Sequence, residues 1–283
     1  MRTIAQCLIV TLLSAAVLSA DQASDMTLMK SRLYGHFLEE GAPDQATIQS
    51  YLSTQLGDGS WPDINYSDRS RNVWDPVNHL YRVENMAKAY RTVGHYYYNN
   101  GSLFNGCSTG LNYWYSRDPQ SDNWWWNEIG VQLTLRKPLI LLESLLTSGQ
   151  ISSGCSILNR ADTGQTGQNL VWAAESHVVK GLLQMDASTV SSNLSLISGT
   201  IVITTSEGVQ PDYSFQQHGE TLYSGGYGAG FSHDCGFWIN VTRATSFGFA
   251  QSKQGGDIDS SGAACRHESG RLAFLQQVDA NYY

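Results

Sequence analysis

Three tryptophans stand side by side in "SDNWWWNEIG": Trp124, Trp125 and Trp126. Successive side chains on a helix diverge by about 100°, so an ordinary amphipathic helix cannot bury all three indoles. At least one ring must face solvent or a groove, beside Asn123, Asn127 and Glu128.

The patterning elsewhere is helical. Val77, Leu80, Tyr81, Met86, Ala89, Tyr90 and Val93 recur at helical spacing between Pro76 and about Tyr98, and "NNGSLFNG" reads as the stop of that helix. Residues 21–45 read as a polar lead, "ATIQSYLSTQL" as a short helix stopping at Gly57, and Leu111 to Tyr115 as a further helix. Another runs from Trp124 to about Leu146, with a kink or break expected at Pro138. "TSGQISSGCSILNRADTGQTGQ" reads as a loop. "NLVWAAESHVVKGLLQM" and "DASTVSSNLSLISGTIVIT" read as helices, the second opened by an Asp cap. Glycine-rich "EGVQPDYSFQQHGETLYSGGYGAG" reads as an irregular loop before a last helix in "FSHDCGFWINVTRATSFGF". No stretch alternates over more than four or five residues. The expectation is an all-α chain of α-hairpins packed side by side.

Arg2, the apolar run Cys7 to Leu18 and the small residues near Ala20 read as a secretory signal peptide over 1–20. That leaves one domain over 21–283, exported, monomeric and without a membrane span. Export puts Cys107, Cys155, Cys235 and Cys265 in an oxidising compartment, where three pairings are possible; proximity in sequence favours Cys107–Cys155 and Cys235–Cys265. Asn65, Asn100, Asn193 and Asn240 open glycosylation triplets, which matter only in a eukaryotic host. A net charge of −8 with no basic stripe argues against nucleic acid. It does not exclude an anionic substrate, because a distant field is screened over roughly 10 Å. Eight Trp and 15 Tyr beside only 15% charged residues suit sugar binding and also fit an ordinary secreted enzyme.

The loop "FQQHGETLYSGGYG" is the most chemically loaded, with His218 and Tyr227 nine residues apart among glycines. By composition alone the favoured reading is a tyrosine packed under a Gly-rich turn and a surface histidine. Four segments in order, "DGSWPDINYSD", "DPQSDNWWWNEIG", "TGQNLVW" and "DYSFQQHGETLYSGGYG", resemble polysaccharide lyase family 8, the hyaluronate, chondroitin AC and xanthan lyases. The resemblance runs from about residue 50 to 250. It implies an α/α toroid, here an incomplete barrel of helical hairpins without the family's C-terminal β-sheet domains. It implies Asn169, His218 and Tyr227 as catalytic residues, with Arg271 in "ESGRLAF" as a shorter match. Asn123, Trp124 and Trp125 would grip the sugar chain, with Trp126 turned to the core. The family's second arginine, four residues on, is Leu275 here.

Such a lyase cleaves the bond to O4 of a uronic acid by removing the C5 proton of an anionic polysaccharide. The adjacent carboxylate must first be neutralised, and an amide donor such as that of Asn169 is typically worth about 3–4 kcal/mol there. Tyr227, with a reference pKa near 10, needs roughly three units of depression, about 4 kcal/mol, to act as phenolate at neutral pH. One cation about 4 Å away at an effective dielectric of 20 supplies that much, and Arg271 is the candidate. His218 is either the proton acceptor itself or a support for Tyr227. No cofactor or metal is needed, and the His and Cys spacing suggests no metal site. Two rival readings stand beside the lyase: a carbohydrate-binding protein that has lost turnover, and a glycoside hydrolase using two carboxylates among Glu128, Asp212 and Glu220.

Overall fold

The structure, a computed structural model, describes residues 20–250. The signal-like residues 1–19, Cys265, Arg271 and Leu275 lie outside the described residues. Helices run as α1 (Ala20–Glu39), α2 (Gln45–Thr54), α3 (Val77–Arg91), α4 (Gly101–Arg117), α5 (Val131–Leu142), α6 (Ser148–Leu158), α7 (Gly167–Gln184), α8 (Ala187–Thr200) and α9 (Ala229–Thr242). Two single π-helical turns, Trp126–Gly130 and Ser224–Gly228, lead into α5 and α9. The two-residue strands β1 (Gly208–Val209) and β2 (Phe215–Gln216) form a small antiparallel hairpin, with Val209 opposite Phe215. The fold is the expected all-α arrangement of hairpins, an incomplete α/α toroid.

Three helices depart from the sequence reading. The polar lead is α1, whose thin stripe of Met26, Met29, Leu33 and Phe37 is at most 2% exposed. Its spacing of three or four residues is helical, but one apolar residue per turn is easily missed among polar neighbours. The Ser- and Gly-rich stretch read as a loop is α6, opened by a reciprocal capping box between Thr147 and Gln150. Low intrinsic propensity is overridden by packing. A β-carbon on Gly154 would lie 2.7 Å from the Leu139 methyls, so the small residue lets α6 approach α5 closely. "NNGSLFNG" starts α4 rather than ending α3, because Asn100 caps it by accepting from the Leu103 amide at 3.0 Å. Pro138 lies inside α5 without breaking it.

The pairing Cys107–Cys155 is corrected. Both are free, buried thiols, and Cys235 is free and buried as well. Each fills an apolar core position on its own helix, and burial pushes the Cys155 thiol up to about 11.

The buried centre is where α1, α5, α7 and α9 meet. Glu175 of α7 is 1% exposed. Its Oε2 accepts from Trp238 Nε1 of α9 at 2.9 Å and pairs with Arg136 Nη1 of α5 at 2.8 Å. The Arg136 guanidinium lies 6.0 Å from the ring of Phe37 on α1. From α1, Arg32 also donates to the Val241 and Arg243 carbonyls at 2.7 Å each, closing the C-terminal end of α9. Burial, opposed by Arg136, pushes Glu175 up to about 7.

A carboxyl held above its unfolded value costs stability as pH rises from about 4.5 towards 7. Removing its counter-charge enlarges that cost. Arg136→Met is expected to lose about 3–5 kcal/mol at pH 8, and clearly less at pH 5 where Glu175 takes a proton. Urea unfolding at the two pH values checks it; equal losses at both would refute the role given to Glu175.

Candidate active site

The three indoles separate as the sequence requires. Trp124 turns outward and is 40% exposed. Trp126 packs inward against the core and Trp74, with centroids 5.9 Å apart. Trp125 stands edge-on to Trp126 at 5.1 Å and to Trp172 of α7 at 5.8 Å. The π-helical turn and Gly130 make this possible. A β-carbon there would sit 2.6 Å from ring atoms of both Trp125 and Trp126, so the two rings lie over bare backbone. Asn123 opens the run: its Oδ1 accepts from the Trp125 amide at 3.1 Å and its Nδ2 donates to the Arg71 carbonyl at 2.9 Å. Its carboxamide therefore fastens the platform to the loop before α3.

The β1–β2 hairpin delivers Gln217 and His218 to the start of α7. Gln217 is 1% exposed, and its Oε1 accepts from the Gln168 amide at 2.9 Å. Its Nε2 donates to Glu207 and to the Thr166 carbonyl. Gly167 has φ +54, and a β-carbon there would fall 2.3 Å from Gln217 Oε1. Only glycine allows both that conformation and that approach. His218 follows with φ +59, an uncommon backbone conformation for a residue bearing a side chain. Its turn is held by Gly219 N donating to Glu207 Oε1 at 2.6 Å and by Gln217 N donating to the Thr221 carbonyl at 3.1 Å.

Tyr227 occupies the second π-helical turn, directly before α9. Its ring stands perpendicular to His218 at 5.0 Å and to Tyr223 at 5.0 Å, and lies 5.6 Å from Trp172. Burial first, then Tyr223 and Glu207, push its phenol above the ordinary value. Asn169 sits in the first turn of α7, 5% exposed, and its Oδ1 finds no hydrogen-bond donor. A buried polar atom left unpaired is uncommon and marks a place where a ligand can complete the bonding.

The structure therefore brings His218 and Tyr227 into ring contact. It joins them to Asn169 through neighbours: Gln217 precedes His218 and bonds the residue before Asn169, while Trp172, one turn beyond Asn169, meets Tyr227. Trp125 is linked to the same group through Trp172, whereas Trp124 faces outward and Asn123 bonds elsewhere. Arg271 is outside the described residues. Among the described residues no group of three or more His, Cys, Asp or Glu gathers as metal ligands would. Sequence reasoning missed Gln217, Trp172, Tyr223, Glu207 and Asp234. Trp172 and Gln217 sit within "TGQNLVW" and "FQQHGETLYSGGYG", so their closeness to Asn169 and His218 was a usable signal; nothing in the sequence singles out Glu207.

Comparison with known proteins places the chain in a family. The chain is 30% identical over 248 residues to chondroitinase-AC of Pedobacter heparinus, covering 86% of this chain and 35% of the relative. It is 27% identical over 216 residues to xanthan lyase of Bacillus sp. strain GL1, covering 69% and 23%. It thus spans about a third or less of these relatives' length. A solved chondroitinase AC lyase superposes with TM-score 0.77 at 26% identity, over 92% of this chain and 36% of that one. Chondroitin AC lyase of Streptomyces coelicolor A3, 18% identical with TM-score 0.65 over 92% and 33%, shares the fold. With residues 22–254 matching polysaccharide lyase family 8, N terminal alpha-helical domain, the chain belongs to that family.

Proposed function

We propose that this chain carries the helical part of a secreted polysaccharide lyase that cleaves uronic-acid-containing glycosaminoglycans, chondroitin or hyaluronan, by β-elimination. The observation that carries the reading is the His218–Tyr227 ring pair, joined through Gln217 and Trp172 to the turn of α7 that holds Asn169, whose buried carboxamide oxygen is unpaired, with Trp125 meeting the same Trp172. Flat rings suit stacking on pyranose faces, and the row gives a linear polymer a track toward the pair.

In this mechanism Trp124 and Trp125 hold the sugar chain while the Asn169 carboxamide donates to the uronate carboxylate, easing charge onto it as the C5 proton leaves. The unpaired Oδ1 is left to accept from a sugar hydroxyl. Tyr227 removes the C5 proton as phenolate and returns it to the departing O4, so one residue serves as base and then acid on one face of the ring. Its free phenol is held up by burial, so the base form needs a cation on substrate binding; Arg271 is assigned that part. His218 orients Tyr227 and the uronate. Residues 1–20 are assigned as the export signal.

Chondroitin sulfate, hyaluronan and xanthan digested with the protein are expected to yield ultraviolet absorbance from a new C4–C5 double bond with at least one polymer. Absence of absorbance from all three would remove the lyase assignment, and retention on a hyaluronan column without product would establish a binding protein instead. A saturated product would establish hydrolysis. Tyr227→Phe is expected to keep polymer affinity and lose about 10²–10⁴-fold in kcat. Full turnover in that variant would move the base to His218.

A further inference from the structure

The α7–α9 seam holds two indole–carboxylate pairs, arranged reciprocally. In the inner pair α9 donates through Trp238 Nε1 to Glu175 of α7; in the outer pair α7 donates through Trp172 Nε1 to Asp234 of α9 at 2.9 Å. The inner pair is buried, and the fold accounts for it. The outer pair is part-buried, and its indole is in ring contact with Tyr227. Asp234 Oδ2 also accepts from Gln168 Nε2 at 2.5 Å, and Oδ1 pairs with His233 Nδ1 at 2.9 Å. One side chain on α9, seven residues after Tyr227, thus grips the residues on both sides of Asn169 along α7. Trp172 in turn touches Tyr227 at 5.6 Å and Trp125 at 5.8 Å. A carboxylate beside a cleft that receives a polyanion works against substrate binding by charge alone, so its place there calls for another task.

We propose that Asp234 is a positioning residue: it fixes the Trp172 indole as the joint between the tryptophan platform and the tyrosine loop, so that a sugar lying on Trp125 meets Tyr227 in register. Trp172 is then the wall over which the chain passes from the platform to the reacting bond. The catalytic consequence rests on the lyase reading above; the structural one does not.

The test compares Asp234→Ala, Asp234→Asn, Trp172→Phe and the double variant D234A/W172F. Asp234→Ala is expected to lower kcat by about 10- to 100-fold, the scale of a small misplacement of reacting groups, with KM moving by less than about threefold. Asp234→Asn keeps an acceptor oxygen and the side-chain shape, and is expected to stay within about threefold of the wild type. In the Trp172→Phe background the donor is gone, so adding Asp234→Ala is expected to cost less than about threefold more. Fully additive losses, or an Asp234→Ala enzyme with wild-type kcat, overturn the proposal. A substrate-free measurement stands beside these: the Trp172 indole N–H resonance, identified as the one missing in Trp172→Phe, is expected to exchange with solvent at least about tenfold faster in Asp234→Ala. Unchanged exchange overturns the proposal whatever the turnover. If the wild type makes no unsaturated product, the lyase reading falls alone, and the exchange measurement still decides whether Asp234 holds Trp172.

Discussion

Glu175 carries a carboxylate into the buried core, and much of the architecture answers that need. Placing an ion in such surroundings costs several kcal/mol unless partners arrive from several directions. They come from α5 as Arg136 and from α9 as Trp238. Because Glu175 sits mid-way along α7, meeting its demand fixes how α5 and α9 cross that helix. The two turns of α7 before Glu175 then point the Gln168–Trp172 stretch at the start of α9, where Tyr227 and its loop arrive. Of the candidate residues, Asn169 lies on the same helix that holds the buried charge, and Tyr227 directly precedes the helix that supplies Trp238, so their placement is tied to the core.

The two π-helical turns solve one problem twice. An extra residue in a helical turn rotates the side chains ahead of it relative to those behind, so a segment can serve two surfaces that regular spacing would not reach. At Trp126–Gly130 the turn lets neighbouring indoles diverge, one to the core and one to the cleft. At Ser224–Gly228 it displaces Tyr227 from the register of α9, toward His218 and Trp172. A β-carbon on Gly228 would meet the Phe215 side chain at 2.7 Å, so the turn is also pressed against the strand that leads to Gln217 and His218. Both segments were conspicuous in the sequence for content, three tryptophans and a glycine-flanked tyrosine. Neither announced a π-helical turn, because that form depends on what packs against it rather than on composition.

What was legible follows from that distinction. The broad apolar stripe of α7 and the Asp186 cap of α8 are local signals, and they read correctly. The single-residue stripe of α1 and the serine-rich α6 form because other helices cover them, and the one local signal, the Thr147–Gln150 capping box of α6, is hidden in a stretch of low helix propensity. The Cys107–Cys155 pairing was misjudged for the same reason: nearness along the chain does not bring two thiols together when each faces its own helix's core. At the site, His218, Tyr227 and Asn169 were named through family resemblance, whereas Glu207 was invisible. Its role exists only once the hairpin returns to the α7 terminus and Gln217, Gly219 and Thr166 all turn donors toward it.

The groups that act on Tyr227 push it in one direction. Tyr223 and Glu207, the neighbours that act on Tyr227 beside burial, both push its phenol up. Asp234, paired with His233, adds a second carboxylate against Trp172. A uronate entering such a cleft adds more negative charge, and the dianionic intermediate more again. Proton abstraction at neutral pH therefore depends on positive charge brought to the phenol and the carboxylate together. Among the residues named by resemblance, Arg271 alone carries a permanent cation. In the proposed lyase the platform, amide, imidazole and phenol bind and align the polymer, and turnover at neutral pH requires that charge as well. Under the proposed function binding and catalysis are therefore separable: the first rests on α7 and the tryptophan run, the second on adding a cation to them.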